Sequence, residues 1–121
     1  VIAEAQENIQ AGVARISVLE NILAENLGEK VLPFSARKVI RRGTPQEVLA
    51  KELVADVWNI LDKHGWVVPD EVLKATTRKL QNLAKSLGLE PEVVVKTFRD
   101  YLREARLAFL DISYRATGMP I

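Results

Sequence analysis

Apolar residues fall at helical spacing along most of the chain, and turning each position by about 100° sorts them into faces. Between residues 45 and 64, Leu49, Leu53, Val54, Val57, Trp58, Ile60 and Leu61 form an arc wide enough to touch more than one neighbour. From 69 to 87 the apolar set is Val72, Leu73, Leu80, Leu83, Ala84 and Leu87. From 91 to 117 it is Val94, Val95, Phe98, Tyr101, Leu102, Ala105, Phe109 and Ile112. The punctuation agrees with these faces. Thr44-Pro45-Gln46-Glu47 reads as a capping box with proline at the first helical position. Pro69-Asp70-Glu71 and Glu90-Pro91-Glu92 put proline and carboxylates where a helix N-terminus favours them. Gly28, Gly43, Gly65, Gly88 and Gly118 each follow a helical run.

The pattern therefore predicts an all-α fold. A long N-terminal helix spans about 2–27 and a short basic helix about 34–42. Three long antiparallel helices follow over about 45–64, 69–87 and 91–117, joined by short links. Only Trp66-Val67-Val68 alternates in a strand-like way, and it is too short to build a sheet. The chain divides into an arm with a basic hinge, residues 1–43, and a helical bundle, residues 44–121.

The first helix differs from the others. Ile2, Ile9, Ile16 and Leu23 repeat every seven residues, with Ala5, Gly12 and Leu19 between them. Ala11, Ala14, Val18 and Ile22 form a second apolar stripe on the opposite side. Such a helix is either buried deep in its own bundle or held between subunits, since one exposed stripe would leave a sizeable patch. Leu107, Leu110 and Tyr114 gather on the last helix away from its core face, and three such residues at helical spacing point to a partner. Ile9, Ile16, Val18, Ile22, Leu107, Leu110 and Tyr114 are thus the candidate subunit-interface residues.

Charge adds a second theme. The 17 basic and 16 acidic residues nearly cancel, but they are unevenly placed. Residues 33–43 carry four basic and no acidic groups, whereas residues 1–32 carry two basic and five acidic. On a short helix Arg37, Lys38, Arg41 and Arg42 would share one side, a pattern suited to phosphate. Lys96, Arg99, Arg103 and Arg106 recur at intervals of three, four and three on the last helix, a weaker second site. Surface pairing of Glu92 with Lys96 and Asp100 with Arg103 is the plainer account of that row. Aromatic residues are few and mostly assigned to the core, which argues against base stacking on single strands. Contact with the backbone of double-stranded DNA, without sequence reading, matches the charge better.

Composition removes several alternatives. With no cysteine there is no disulfide framework, and with His64 as the only histidine a zinc site is nearly excluded. No phosphate-binding glycine loop, nucleophile elbow or paired-histidine motif occurs. His64, just before Gly65, reads as a helix-end residue rather than a catalytic one. No catalytic residue, metal, cofactor or small-molecule substrate is expected, and the chain does not read as an enzyme. No apolar run approaches the roughly 18 residues of a membrane span, and no signal peptide opens the sequence.

The layout of an apolar N-terminal helix, the basic Arg37-Lys38-Val39-Ile40-Arg41-Arg42 stretch and a capped bundle over 44–118 resembles one known family. This is the family of major coat proteins of filamentous and rod-shaped DNA viruses of hyperthermophilic archaea. The resemblance covers the chain through architecture and charge placement. It implies an arm over 2–42 that wraps the genome, a bundle that forms the outer shell, and pairing with an identical or paralogous subunit. The sequence departs from the pattern in one respect: Arg15 is the only cation before Lys30. The expected function is a self-assembling DNA-packaging coat or nucleoprotein subunit, located in the virion if viral and in the cytoplasm otherwise. A small helical DNA-binding regulator and a helical adaptor without nucleic acid are the alternatives.

Overall fold

The computed structural model of the chain describes the backbone of residues 17–32 and 35–117, and the side chains of residues 17–29 and 37–110. Helix α1 is described over 17–27. It leads into strands β1, Glu29–Leu32, and β2, Ser35–Val39. Three long helices follow: α2, Pro45–His64; α3, Asp70–Ser86; and α4, Pro91–Thr117. The fold is mostly helical, with the long helices where periodicity and caps place them.

Their local causes are visible. The Thr44 hydroxyl accepts the Glu47 amide at 3.4 Å, and Pro45 occupies the first position of α2. The Glu47 carboxylate reaches back to the Gly43 amide at 3.4 Å, one residue beyond the usual capping box. At the end of α3 the Leu89 amide donates to the Ala84 carbonyl at 2.8 Å, with Gly88 at a φ of 76°. Glycine takes that left-handed conformation without steric cost.

α2, α3 and α4 pack against one another in all three pairings. Leu49, Leu53, Val57 and Leu61 line one face of α2 at four-residue spacing and are wholly buried. Leu80 and Ala84 of α3 meet Val94, Phe98, Tyr101, Leu102 and Ala105 of α4 in the same cluster. Thr97 is also wholly buried, a position that an apolar template passes over. Its hydroxyl donates to the Val93 carbonyl at 2.7 Å, so no polar group is stranded. Lys79 joins α3 to α2 through Glu52 at 2.9 Å and Asp56 at 3.0 Å, contacts that hold it above the usual lysine value. More than half of its side chain is exposed, so the link adds little stability.

Helix α1 belongs to this core. Leu19 and Leu27 are buried in the cluster, and Ile22 and Leu23 pack against it. The described stretch of the first helix thus follows the buried alternative, with Val18 left 41% exposed. Gly28 is where the chain turns out of α1 against β2. A Cβ there would run into the Ala24 carbonyl and lie 3.1 Å from the Val39 backbone nitrogen and oxygen. Gly28→Ala is expected to cost about 1–3 kcal/mol, as overpacking does, and a thermal melt against wild type checks it.

Residues 34–42 correct the sequence reading. In place of a short basic helix, Ser35–Val39 forms a strand antiparallel to Glu29–Leu32, with Glu29 opposite Val39, Lys30 opposite Lys38 and Leu32 opposite Ser35. A nine-residue helix gains little by itself, because nucleation fixes several residues for one hydrogen bond. Pro33 also forbids a helix that runs on from α1 through the segment. Pairing across the hairpin supplies backbone partners that neither half has alone.

A partly buried polar contact ties α2 to α4. The Trp58 indole N–H donates to the Tyr101 hydroxyl at 3.2 Å. Burial pushes the Tyr101 phenol above its usual value and the nearby Glu20 carboxylate adds to the rise, while the Trp58 bond opposes it. An acid whose value is raised by folding stabilises the fold fully below the unfolded value, and that contribution fades as pH rises further. Wild type is therefore expected to lose stability above about pH 10, and Tyr101→Phe to lose less across the same window. Urea titrations of both proteins at neutral and alkaline pH measure the difference, and Lys79, common to both, cancels.

Candidate nucleic-acid interface

The four hinge cations do not share one face. Neighbouring side chains on a strand point to opposite sides, so β2 separates Arg37 from Lys38. Arg37 is exposed, whereas Lys38 is half-buried and donates to the Glu25 carbonyl at 3.0 Å. Arg41 lies 3.7 Å from the Glu29 carboxylate, which also accepts from Gln46 at 3.2 Å. Arg42 is exposed. The segment that carries no acid in sequence thus meets a backbone carbonyl of α1 and a carboxylate of β1. Lys38 fastens the hairpin to α1, and Arg37, Arg42 and the Glu29-paired Arg41 are exposed.

The second row survives folding more fully. Lys96, Arg99 and Arg103 are exposed on α4. Arg103 stands 4.0 Å from both Asp100 and Glu104, a separation at which a surface pair contributes little. Arg106 is half-buried, and its Nε is closed off from solvent without a hydrogen-bond partner among the described residues.

The two basic groups come together around α1. A groove of about 380 Å³ between α1 and β2 is lined by Glu20, Asn21, Glu25, Arg37 and Lys38 among others. On the other flank of α1, a groove of about 310 Å³ is lined by Asn21, Glu25, Lys96 and Asp100 among others. Asn21 and Glu25 are walls of both, so Arg37 and Lys96 stand on either side of one helix. Arg106, ten residues beyond Lys96, lies about 15 Å further along α4.

Farther along α4, Arg99, Arg103 and Arg106 rim a groove of about 450 Å³ whose floor is Leu73, Val95, Phe98 and Leu102. Val95, expected on the core face of the helix, is outside the core cluster and lines this surface groove instead. The sequence holds the signal, since Val95 shares a helix line with Arg99 and Arg106, four and eleven residues on.

Of the candidate interface residues, Ile9 and Ile16 lie outside the described residues. Val18 is exposed, and Ile22 packs on the core. Leu107 and Leu110 are half-buried and continue the line of Lys96 and Arg103 on α4. Tyr114 is on α4, outside the residues whose side chains are described.

Among the described residues no group of three or more His, Asp or Glu could hold a metal ion, and no helix is long and apolar enough to cross a membrane. Comparison of the chain with protein-family models, curated proteins and solved structures gives no match.

Proposed function

We propose that the chain is a non-catalytic structural subunit that self-associates and lies against the phosphate backbone of double-stranded DNA without reading its sequence. In this reading α2, α3 and α4 form an antiparallel bundle that presents the cations, and α1 with its hairpin braces them. The observation that carries the reading is the row of Lys96, Arg99 and Arg103, exposed along α4, with Arg37 on the opposite flank of α1. Such exposed cations neutralise phosphate and release condensed counterions. By its resemblance to the coat proteins of filamentous archaeal DNA viruses, the setting is a virion and the partner subunit identical or paralogous.

Sedimentation of the full chain, alone and with unrelated duplexes at low and high salt, tests the proposal. A large complex on every duplex at low salt, lost as salt rises, is expected. A small complex that prefers one duplex would indicate a regulator, and no complex at any salt would indicate an adaptor.

A further inference from the structure

The α2–α3 turn carries an unusual tip. Val67 is 77% exposed and Trp66 is 40% exposed, while the adjacent Val68 is buried and anchors the turn. Two exposed carboxylates, Asp70 and Glu71, follow at the start of α3. An apolar knob beside two acids is therefore held out to solvent on an anchored base.

The complement of that knob lies on the same chain. The groove between α3 and α4 has an apolar floor, Leu73, Val95, Phe98 and Leu102, and its rim includes Arg103 and Arg106. An apolar floor cannot replace the water around a phosphate, so a nucleic acid would leave it unused. Arg106 lines the groove, half-buried, with its Nε enclosed and without a hydrogen-bond partner among the described residues. A carboxylate arriving from solvent would pair with the outer Nη groups of an arginine on this rim, in the two-bond geometry that arginine favours. Knob and groove are neighbours, because Leu73 is only two residues beyond Glu71.

We infer that the groove takes the Trp66–Val67 tip of a second copy of this chain, with the second copy's Asp70 and Glu71 against Arg103 and Arg106. Because tip and groove adjoin, two copies related by a two-fold axis make both contacts at once, and the assembly closes as a dimer. The inference deepens the reading of the chain as a self-associating subunit by naming its pairing surface. That surface leaves Arg37, Arg42 and Lys96 to phosphate, takes up Arg103 of the α4 row and has Arg99 at its edge.

Sedimentation equilibrium of the full chain without DNA tests it, with circular dichroism confirming that each variant is folded. Wild type is expected to dimerise, and Val67→Asp, a change at a solvent-facing position, to weaken the dimer at least tenfold. Asp70→Arg with Glu71→Arg should give a monomer, as should Arg103→Glu with Arg106→Glu. Mixing these two reversed proteins restores opposite charge at both contacts, so a one-to-one heterodimer is expected. A monomeric wild type, an unweakened Val67→Asp dimer or a mixture that stays monomeric would each overturn the inference. Duplex binding is read separately: a dimer that ignores DNA overturns the DNA reading alone, and a DNA-binding monomer overturns the pairing surface alone.

Discussion

Leu53→Ala is expected to remove about 2–5 kcal/mol of stability, and Phe98→Ala about 3–5 kcal/mol. Both side chains lie in the cluster shared by α2, α3 and α4, with Leu53 wholly buried and Phe98 only 4% exposed. Truncation removes apolar surface that folding had taken from water and leaves a cavity that rigid helices fill only in part. Phe98 has a second role in the floor of the α3–α4 groove, so its loss also opens the core towards the surface. Against a total stability of about 5–15 kcal/mol for an ordinary domain, either change removes a large fraction. Urea unfolding measures it, and a change below about 0.5 kcal/mol, typical of exposed sites, would contradict the packing.

Replacing Arg37, Arg42, Lys96 and Arg99 together by alanine should flatten the logarithmic salt dependence of duplex affinity by about three to four units. Each phosphate contact contributes about 0.9 to that slope on B-form DNA. The choice of residues follows from the fold. Lys38 is committed to the Glu25 carbonyl and Arg41 to Glu29. Alanine at those two positions together is expected to change the slope by less than about one unit, since a phosphate has to compete there with contacts the chain already makes. The loss in the fourfold variant should be similar on unrelated duplexes, because backbone contacts carry no base information. An unchanged slope would remove these residues from the interface, and loss confined to one sequence would favour the regulator.

The long helices were legible because several independent signals coincide on them. Thr44, Pro45 and Glu47 mark the start of α2, the four-residue spacing of Leu49 to Leu61 marks its buried face, and Gly65 marks its end. The hairpin was not legible in the same way. In Ser35–Val39 the strand face is not separated from the helix face by any run of apolar residues, and the pairing that decides the matter lies across the chain in Glu29–Leu32. Strand preference depends on such neighbours far more than helix preference does. The same non-local contact reassigned the hinge charges. A count along the sequence finds four cations without an acid nearby, whereas the Glu25 main-chain carbonyl reaches Lys38 and the Glu29 carboxylate reaches Arg41 only after folding. The α4 row keeps its spacing, which is local to one helix, with Lys96, Arg99 and Arg103 exposed and Arg106 half-buried. Trp66 and Val67 looked like a fragment of strand, and only burial shows them as an exposed tip on a buried anchor.

The placement of the two tryptophans gives the protein two optical reporters with separate duties. Trp58 is half-buried, its indole N–H bonded to Tyr101 across the α2–α4 contact, so its emission follows the integrity of the core. Trp66 stands on the exposed turn, and its emission follows what covers that turn. On the proposed pairing, Trp58→Phe leaves a protein whose fluorescence is expected to respond to dilution and mixing. Trp66→Phe leaves one whose fluorescence responds to denaturant. Colour and intensity can therefore separate unfolding from association in a single cuvette, without an added label.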